Sequence, residues 1–391
     1  MSEQTKSNFT FSNKKAARRK FLSYFFISLF IITLCVILYW FLYLKNYEET
    51  QDAYVNGNQV MISSQIHGNV AQINVDNTHF VRAGDVLLVL DDTDVKLNFE
   101  QAQNMLASTV RQIEKLNYTV KQLEAVVHAK ETALKQAKED LNRREHLAKT
   151  ESINKETLQH ARSAVVLAQA ELAAAKYQLS SNQALLKEEP LIEQPEVKKA
   201  ISAVKQGWLN LQRTKILSPV DGYVARRNAQ VGQKVAVGSP LMAVVSSQQL
   251  WVDANFKETQ LTHMRIGQPV KVVFDLYGSD IEFDGKVVGI EMGTGSAFSL
   301  LPAQNASGNW IKVVQRVPVR IQLDPEQIKK YPLRLGLSAT VKVDISDDSG
   351  EVLQSESSAS PLLHTEVLQY DQSAVENLIE TIIHNNTIQK D

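Results

Sequence analysis

Gly68-Asn69-Val70-Ala71, followed by Val81-Arg82-Ala83-Gly84-Asp85-Val86-Leu87, has a counterpart far downstream: Gly222-Tyr223-Val224-Ala225, followed by Val235-Ala236-Val237-Gly238-Ser239-Pro240-Leu241. Residues 68–90 align with 222–244 without a gap and with seven identities. Each half reads as short apolar strands turned at glycines (Gly68, Gly84, Gly222 and Gly238), where backbone angles closed to other residues are needed. The expected element is one β module cut into two halves, 60–92 and 214–246.

The residues between the halves have a helical period. Residues 94–148 contain no proline or glycine, and Phe99, Leu106, Ile113, Val120, Val127, Leu134 and Leu141 recur every seven residues. The companion position is mixed: Ala102, Thr109, Leu116, Leu123, Lys130, Ala137 and Arg144. Such a seam is half strong and half permissive, as suits helices that pair loosely. Lys149-Thr-Glu-Ser-Ile-Asn154 breaks the pattern. A second seam then runs through Leu158, Val165, Leu172, Leu179 and Leu186, with Ala161, Ala168, Ala175 and Asn182 beside it. So short a connection makes the helices antiparallel neighbours. At 1.5 Å per residue the first is roughly 80 Å long. Pro190 and Pro195 interrupt the return, which resumes at Val197, Val204 and Leu211 with Ile201 and Trp208 alongside. Residues 189–196 are either a four-residue shift that unwinds the coil or a loop between separate helices. The insertion, 93–213, is thus a coiled-coil hairpin projecting from an opened β module.

The N-terminus carries a different signal. Phe21 to Leu44 has no charged residue, follows Lys14, Lys15, Arg18, Arg19 and Lys20, and precedes Glu48, Glu49 and Asp52. A run of that length spans a hydrocarbon core of roughly 30 Å. The charge asymmetry puts residues 1–20 in the cytoplasm and the bulk of the chain across the membrane. The run is too long for a signal peptide and lacks a small-x-small cleavage site. The expectation is a single-pass anchor at 21–44. The 42 basic and 43 acidic side chains give no electrostatic footprint for nucleic acid, and the one cysteine, Cys35, rules out an intrachain disulfide.

The split pattern resembles the two halves of a biotinyl/lipoyl-type domain. The hairpin that would carry the modified lysine is replaced by the helical insertion, and Lys96 lacks the flanking residues of that family, so no cofactor is expected. The whole layout resembles the periplasmic adaptors, or membrane fusion proteins, of the HlyD type, and within them the EmrA branch that serves drug exporters of the major facilitator class. The resemblance covers about 14–345. It rests on Asp52-Ala53-Tyr54-Val55, on Trp251-Val252-Asp253-Ala254-Asn255-Phe256-Lys257-Glu258-Thr259, and on Met292-Gly-Thr-Gly-Ser-Ala-Phe298 through Pro302-Ala-Gln-Asn305 to Asn309-Trp-Ile-Lys-Val-Val-Gln-Arg316.

The resemblance implies a non-enzymatic bridge between an inner-membrane major facilitator exporter and an outer-membrane TolC-like channel, built as a homo-oligomer in the bacterial inner membrane. It places channel docking at the hairpin tip, where Arg143 and Leu147 fit the first two positions of the family pattern. Asn154 or Ser152 stands near the third, where relatives have serine. Leu147 also reads as a helix-end hydrophobe that caps the hairpin.

Residues 248–345 alternate apolar and polar in short runs, which suggests an antiparallel barrel. By resemblance it includes 45–59 and 247–345, is completed by a strand near Tyr54–Asn58, and lies close to the membrane. A short helix is expected at 257–265. The stretch 293–310, with Phe298, Leu300 and Leu301, reads equally as an exporter-facing loop or as a barrel connection packed on itself. Residues 346–391 read as a polar tail, flexible to about 370, with an amphipathic helix at 375–383 presenting Leu378, Ile379 and Ile382. The fold class is multidomain α+β: a transmembrane helix, a split lipoyl-like domain with an inserted helical hairpin, and a membrane-proximal barrel.

No H-E-x-x-H or G-x-S-x-G sequence occurs, and Gly293-Thr-Gly-Ser296 lacks the lysine of a phosphate loop. Asp91, Asp92 and Asp94 suit a helix N-terminus better than a metal site. Three other readings remain: an adaptor of an ABC-type secretion system, against which the 292–316 run argues; a carrier subunit, which needs a modified lysine; and a tethered coiled-coil scaffold.

Overall fold

The computed structural model describes residues 14–42, 46–149, 153–186, 189–297, 312–354 and 363–387. Helix α1 spans Lys14–Leu42. Among the described residues no helix is long and apolar enough to cross a membrane.

Two long strands organise the β structure. β1 (Tyr47–Ser63) and β8 (Pro240–Lys257) pair antiparallel along most of their lengths. Their outer parts join β9 (Pro269–Phe274), β10 (Glu282–Ile290), β11 (Arg316–Leu323) and β12 (Ser338–Asp344) in a ring, β1–β12–β9–β10–β11–β8, that returns to β1. This is a closed antiparallel barrel, and closure removes the edge strands. The strand expected near Tyr54–Asn58 is part of β1. Alternation fills the interior: Val270, Val272 and Phe274 of β9 point in, between exposed Pro269 and Lys271. Phe256, Phe274 and Phe283 are fully buried, and the last two meet edge to face at 4.8 Å. A short helix α5 (Pro325–Lys330), capped by the Asp324 carboxylate, covers one side.

Past a register slip at Gly57/Gln59 the same two strands enter a second β module. There they join β6 (Gly222–Arg227) and β3 (Phe80–Val81), while β2 (Gly68–Ile73), β4 (Val86–Leu90), β5 (Lys215–Leu217) and β7 (Lys234–Val235) form a separate four-stranded sheet. The repeat seen in the sequence is a structural pseudo-twofold, and its hydrogen bonds are reciprocal. The Gly84 amide donates to the Ser218 carbonyl at 2.8 Å, and the Gly238 amide to the Ser64 carbonyl at 2.8 Å. Gly68 pairs with Val235, and Gly222 with Val81. The Val70 amide reaches Gln233, and the Val224 amide reaches His79. Each half therefore completes the other, so the halves close only after the inserted hairpin has returned.

The glycines serve unequal purposes. Gly84 and Gly238 take left-handed backbone angles at turns (φ +91° and +82°). Gly68 and Gly222 are not turn residues; they open strands β2 and β6. A Cβ on Gly222 would lie 2.2 Å from the Val245 carbonyl oxygen, whereas on Gly68 the nearest atom is Leu90 Cβ at 3.6 Å. The repeat also exposes a strained residue. Gly232 has φ +82°, and its counterpart in the first half is Thr78, at φ +73°. A β-branched residue in that region is costly. Thr78→Gly should therefore stabilise the module by about 0.5–1 kcal/mol, after the entropy cost of glycine. A rise in the urea midpoint at constant m-value would show it; a fall would mean that Thr78 makes compensating contacts.

The hairpin is α2 (Thr93–Ala148), α3 (Lys155–Leu186) and α4 (Pro195–Gln212). Asp91 starts it, accepting from the Thr93 hydroxyl at 2.7 Å and the Thr93 amide at 3.0 Å. These bonds hold its carboxyl below the ordinary value of 3.8. The folded pKa being depressed, the contribution is present above the unfolded value and is lost as pH falls through the folded one. Protection factors in the first turn of α2, taken against the intrinsic exchange rate at each pH, should accordingly fall in acid in the parent chain, and Asp91→Ala should remove that pH dependence.

Leu106, Ile113, Val120 and Val127 of the first seam and Val165 and Leu186 of the second are buried, with Ala161 and Ala175 between them. Val110, one residue beyond the companion position, is also fully buried. At Pro190–Pro195 the chain makes a short 3-10 turn, Leu191–Glu193, and Pro195 begins α4. The buried Gln194 side chain bridges the break, donating to the carbonyls of Leu186 and Glu189.

Two expectations need correction. Residues 257–265 do not form a helix beyond a single 3-10 turn, Glu258–Gln260. Lys257 still belongs to β8, and the Gln268 amide group, bonded to the carbonyls of His263 and Asp347, holds residues 263–268 as a turn. The described parts of the C-terminal segment, 346–354 and 363–387, are not a loose tail. Helix α6 (Ser373–Asn386) buries Val375, Ile379 and Ile383 against Leu106, Val110, Val197 and Val204 at the hairpin base. Leu378 and Ile382 flank this face, half-buried. The three-helix contact explains why Val110 is buried.

Candidate docking sites on the hairpin and the barrel

The tip of the hairpin is where α2 gives way to α3. Arg143 and Leu147 lie one helical turn apart on α2, and Asn154 stands just ahead of α3, so all three gather at the turn. Arg143 is well exposed and its guanidinium is 3.3 Å from Asp140, which also holds Arg144 at 2.8 Å. Leu147 is 49 % exposed in the last turn of α2. Asn154 caps α3: its side-chain oxygen accepts from the Glu156 amide at 3.3 Å. That capping bond is a local reason for Asn154 that family patterning does not supply. Ser152 lies outside the described residues. Across the tip, Arg162 reaches Glu145 at 3.5 Å, and lower down Lys176–Glu131 (2.8 Å) and Lys130–Glu171 (2.7 Å) tie the two helices. Exposed pairs of this kind are worth about 0–1 kcal/mol each, so they set register more than stability.

The second site is at the other end of the molecule. Phe298, Leu300 and Leu301 lie outside the described residues, but the roots of their stretch are described. β10 ends at Ile290 and β11 begins at Arg316, at the rim of the barrel where β1 also begins, at Tyr47, just after α1. Ser296 donates to the Gln315 side chain at 2.7 Å, which draws the two roots together. Met292 and Val313 beside them are 80 % and 63 % exposed.

Three separate runs of the sequence converge at this rim. Arg316 Nε is 3.3 Å from Asp52, the Asn255 side-chain Nδ2 donates to the Asp52 carboxylate at 3.1 Å, and Arg316 donates to the Asn255 backbone carbonyl at 2.9 Å. Thr50 donates to the same carbonyl at 2.9 Å. Lower on the wall the Arg320 guanidinium stacks over Trp251, 4.0 Å from the ring centre. Composition and periodicity give no hint of this network. The signal was that Asp52, Asn255 and Arg316 each sit in one of the three runs that carry the family resemblance.

Residues 93–214 match the family described as EMRA, alpha-helical hairpin domain, and residues 249–344 match the AAEA-like beta-barrel domain. The "Multidrug export protein EmrA" of Haemophilus influenzae is 61% identical over 375 residues, which is 96% of each chain. The chain belongs to the EmrA family. The "Multidrug export protein EmrA" of Escherichia coli is 50% identical, over 89% of this chain and 90% of that one. A solved structure of the periplasmic adaptor protein EmrA aligns with 76% of this chain and 98% of its own, at 19% identity and a TM-score of 0.40, a likeness too loose to argue from. As an EmrA-family chain this protein is an adaptor of export and not an enzyme.

Proposed function

We propose that this chain is the periplasmic adaptor of a tripartite multidrug efflux pump, joining a major facilitator exporter in the inner membrane to a TolC-like channel in the outer membrane. The observation that carries the reading is the polarity of the molecule. The barrel rim, with Met292 and Val313 and the roots of the 298–311 stretch, faces the end where α1 attaches. The hairpin leaves from the opposite side, out of β4 and back into β5, and places Arg143, Leu147 and Asn154 at its far end.

In this reading α1 is the anchor. Its side chains from Phe21 to Cys35 are all exposed, Phe21 at 75 % and Phe30 at 67 %, which water disfavours and a bilayer accommodates. The basic residues before it stay in the cytoplasm, and the rest of the chain is periplasmic. Phe298, Leu300 and Leu301 belong to the exporter-facing surface. Several copies side by side form the conduit, and the exporter supplies the energy by moving protons.

Deleting the gene should raise susceptibility to several toxic compounds at once, and the full chain should restore resistance only in a strain that retains both the exporter and the channel. A deletion strain with unchanged susceptibility to every compound tested would instead favour a scaffold without a transport role.

A further inference from the structure

The C-terminal segment touches each of the three periplasmic parts in turn. At the α1 end of the barrel, the Gln268 side chain donates to the Asp347 carbonyl at 2.8 Å, Arg265 donates to the Asp348 carbonyl at 3.1 Å, and the Ile266 amide donates to the Glu351 carbonyl at 2.9 Å. Gly350 fits so closely there that a Cβ would lie 2.7 Å from the Ile266 carbonyl oxygen. At the β module, the Thr365 hydroxyl donates to the Pro219 carbonyl at 2.9 Å, and residues 363–365 wall a groove of about 450 Å³ whose other side includes Asn58, Val220 and Gln249. At the hairpin base, Tyr370 meets Trp208 edge to face at 6.4 Å, Glu376 pairs with Lys205 at 2.8 Å, and α6 buries its apolar face between α2 and α4.

Among the described residues the hairpin is otherwise joined to the β module by two chain crossings, 91–92 and 213–214, and by Val95 in the first turn of α2, which packs half-buried on the module's core beside the first crossing. Two adjacent crossings act as a hinge, since they fix a line and not an angle. A third attachment, off that line, removes the freedom.

We propose that residues 363–387 are an internal strap that fixes the angle between the hairpin and the β module, with α6 as its clasp on the hairpin base. The clasp lies beside the Pro190–Pro195 break, where a 3-10 turn precedes the start of α4 at Pro195. An apolar helix face held by three buried side chains and one exposed ion pair is also a contact that can open while the three parts stay folded.

The test is a distance measurement on the full-length chain in detergent, without partners, so that it stands apart from the efflux reading. With Cys35→Ser as background, spin labels go at the exposed positions Lys115 on α2 and Lys234 on β7, through Lys115→Cys and Lys234→Cys. The parent should give one narrow distance distribution. Ile379→Asp should quicken amide exchange in α6 more than about tenfold and broaden the distribution, because a charge cannot stay buried in the clasp. Should that variant unfold the hairpin, Ile379→Ala/Ile383→Ala replaces it, which empties the apolar face of the clasp without burying a charge: α6 exchange should again quicken and the distribution broaden. A distribution that stays as narrow as the parent's after amide exchange shows α6 released, in either variant, would overturn the proposal.

Discussion

Gly222→Val should collapse the β module. The added Cβ would sit 2.2 Å from the Val245 carbonyl oxygen, 2.8 Å from its carbon and 3.1 Å from Val244 Cγ1. Two of these atoms are backbone of β8, the strand that also runs on into the barrel wall. Relief requires β6 and β8 to part, which breaks the pairing of Val224 with Val244 and opens a core in which Val224, Leu241 and Met242 are fully buried. The expected loss is about 3 kcal/mol or more, at the upper end for an overpacked position. The pseudo-symmetric Gly68 is the control: with no atom nearer than 3.6 Å, Gly68→Ala should cost less than about 1 kcal/mol. Amide exchange in β6 and β8, compared between the two variants, reads the difference locally. Equal costs at the two sites would show that β8 yields more easily than its double membership implies.

Leu147→Asp should abolish export while leaving the fold intact. The side chain is about half exposed in the last turn of α2, beyond the deepest part of the seam, so the effect on stability should stay within about 0.5 kcal/mol. A carboxylate there would have to be desolvated against an apolar partner surface, which costs far more than the lost contact. Susceptibility should therefore rise to that of the deletion strain, with the amount of membrane-bound protein unchanged. Arg143→Ala should have a smaller effect, since Asp140 keeps its ion pair with Arg144. Leu147→Asp with full export would return Leu147 to a role in closing the hairpin end.

Much of this architecture is written in local patterns. The period of seven from Phe99 to Leu141, the alanines at 161 and 175 and the gap-free match of 68–90 with 222–244 depend only on residues near one another in each element, so counting finds them. The features that escaped counting depend on partners remote in the chain. Val110 is buried because α6 arrives from more than two hundred residues away and makes a two-helix seam into a three-helix one. The face of α6 is only partly the expected one: Ile379 goes inward, but with Val375 and Ile383, while Leu378 and Ile382 are half-buried at its edges, and the helical period alone cannot choose between adjacent stripes without knowing what covers them. The left-handed Thr78 was in fact within reach, since the internal alignment sets it opposite Gly232. The rim network of Asp52, Asn255 and Arg316 lay beyond period and composition alike, because it joins three strands that only barrel closure brings together.

The central claim is that the two ends of the molecule meet different membranes' proteins, and in-cell photo-crosslinking tests it most directly. A photoreactive residue at position 147 should capture an outer-membrane channel, and one at 292 or 298 should capture a multi-spanning inner-membrane exporter, with neither position capturing the other's partner. If position 147 captured only further copies of this chain, or if both ends captured the same protein, the bridging account would be contradicted.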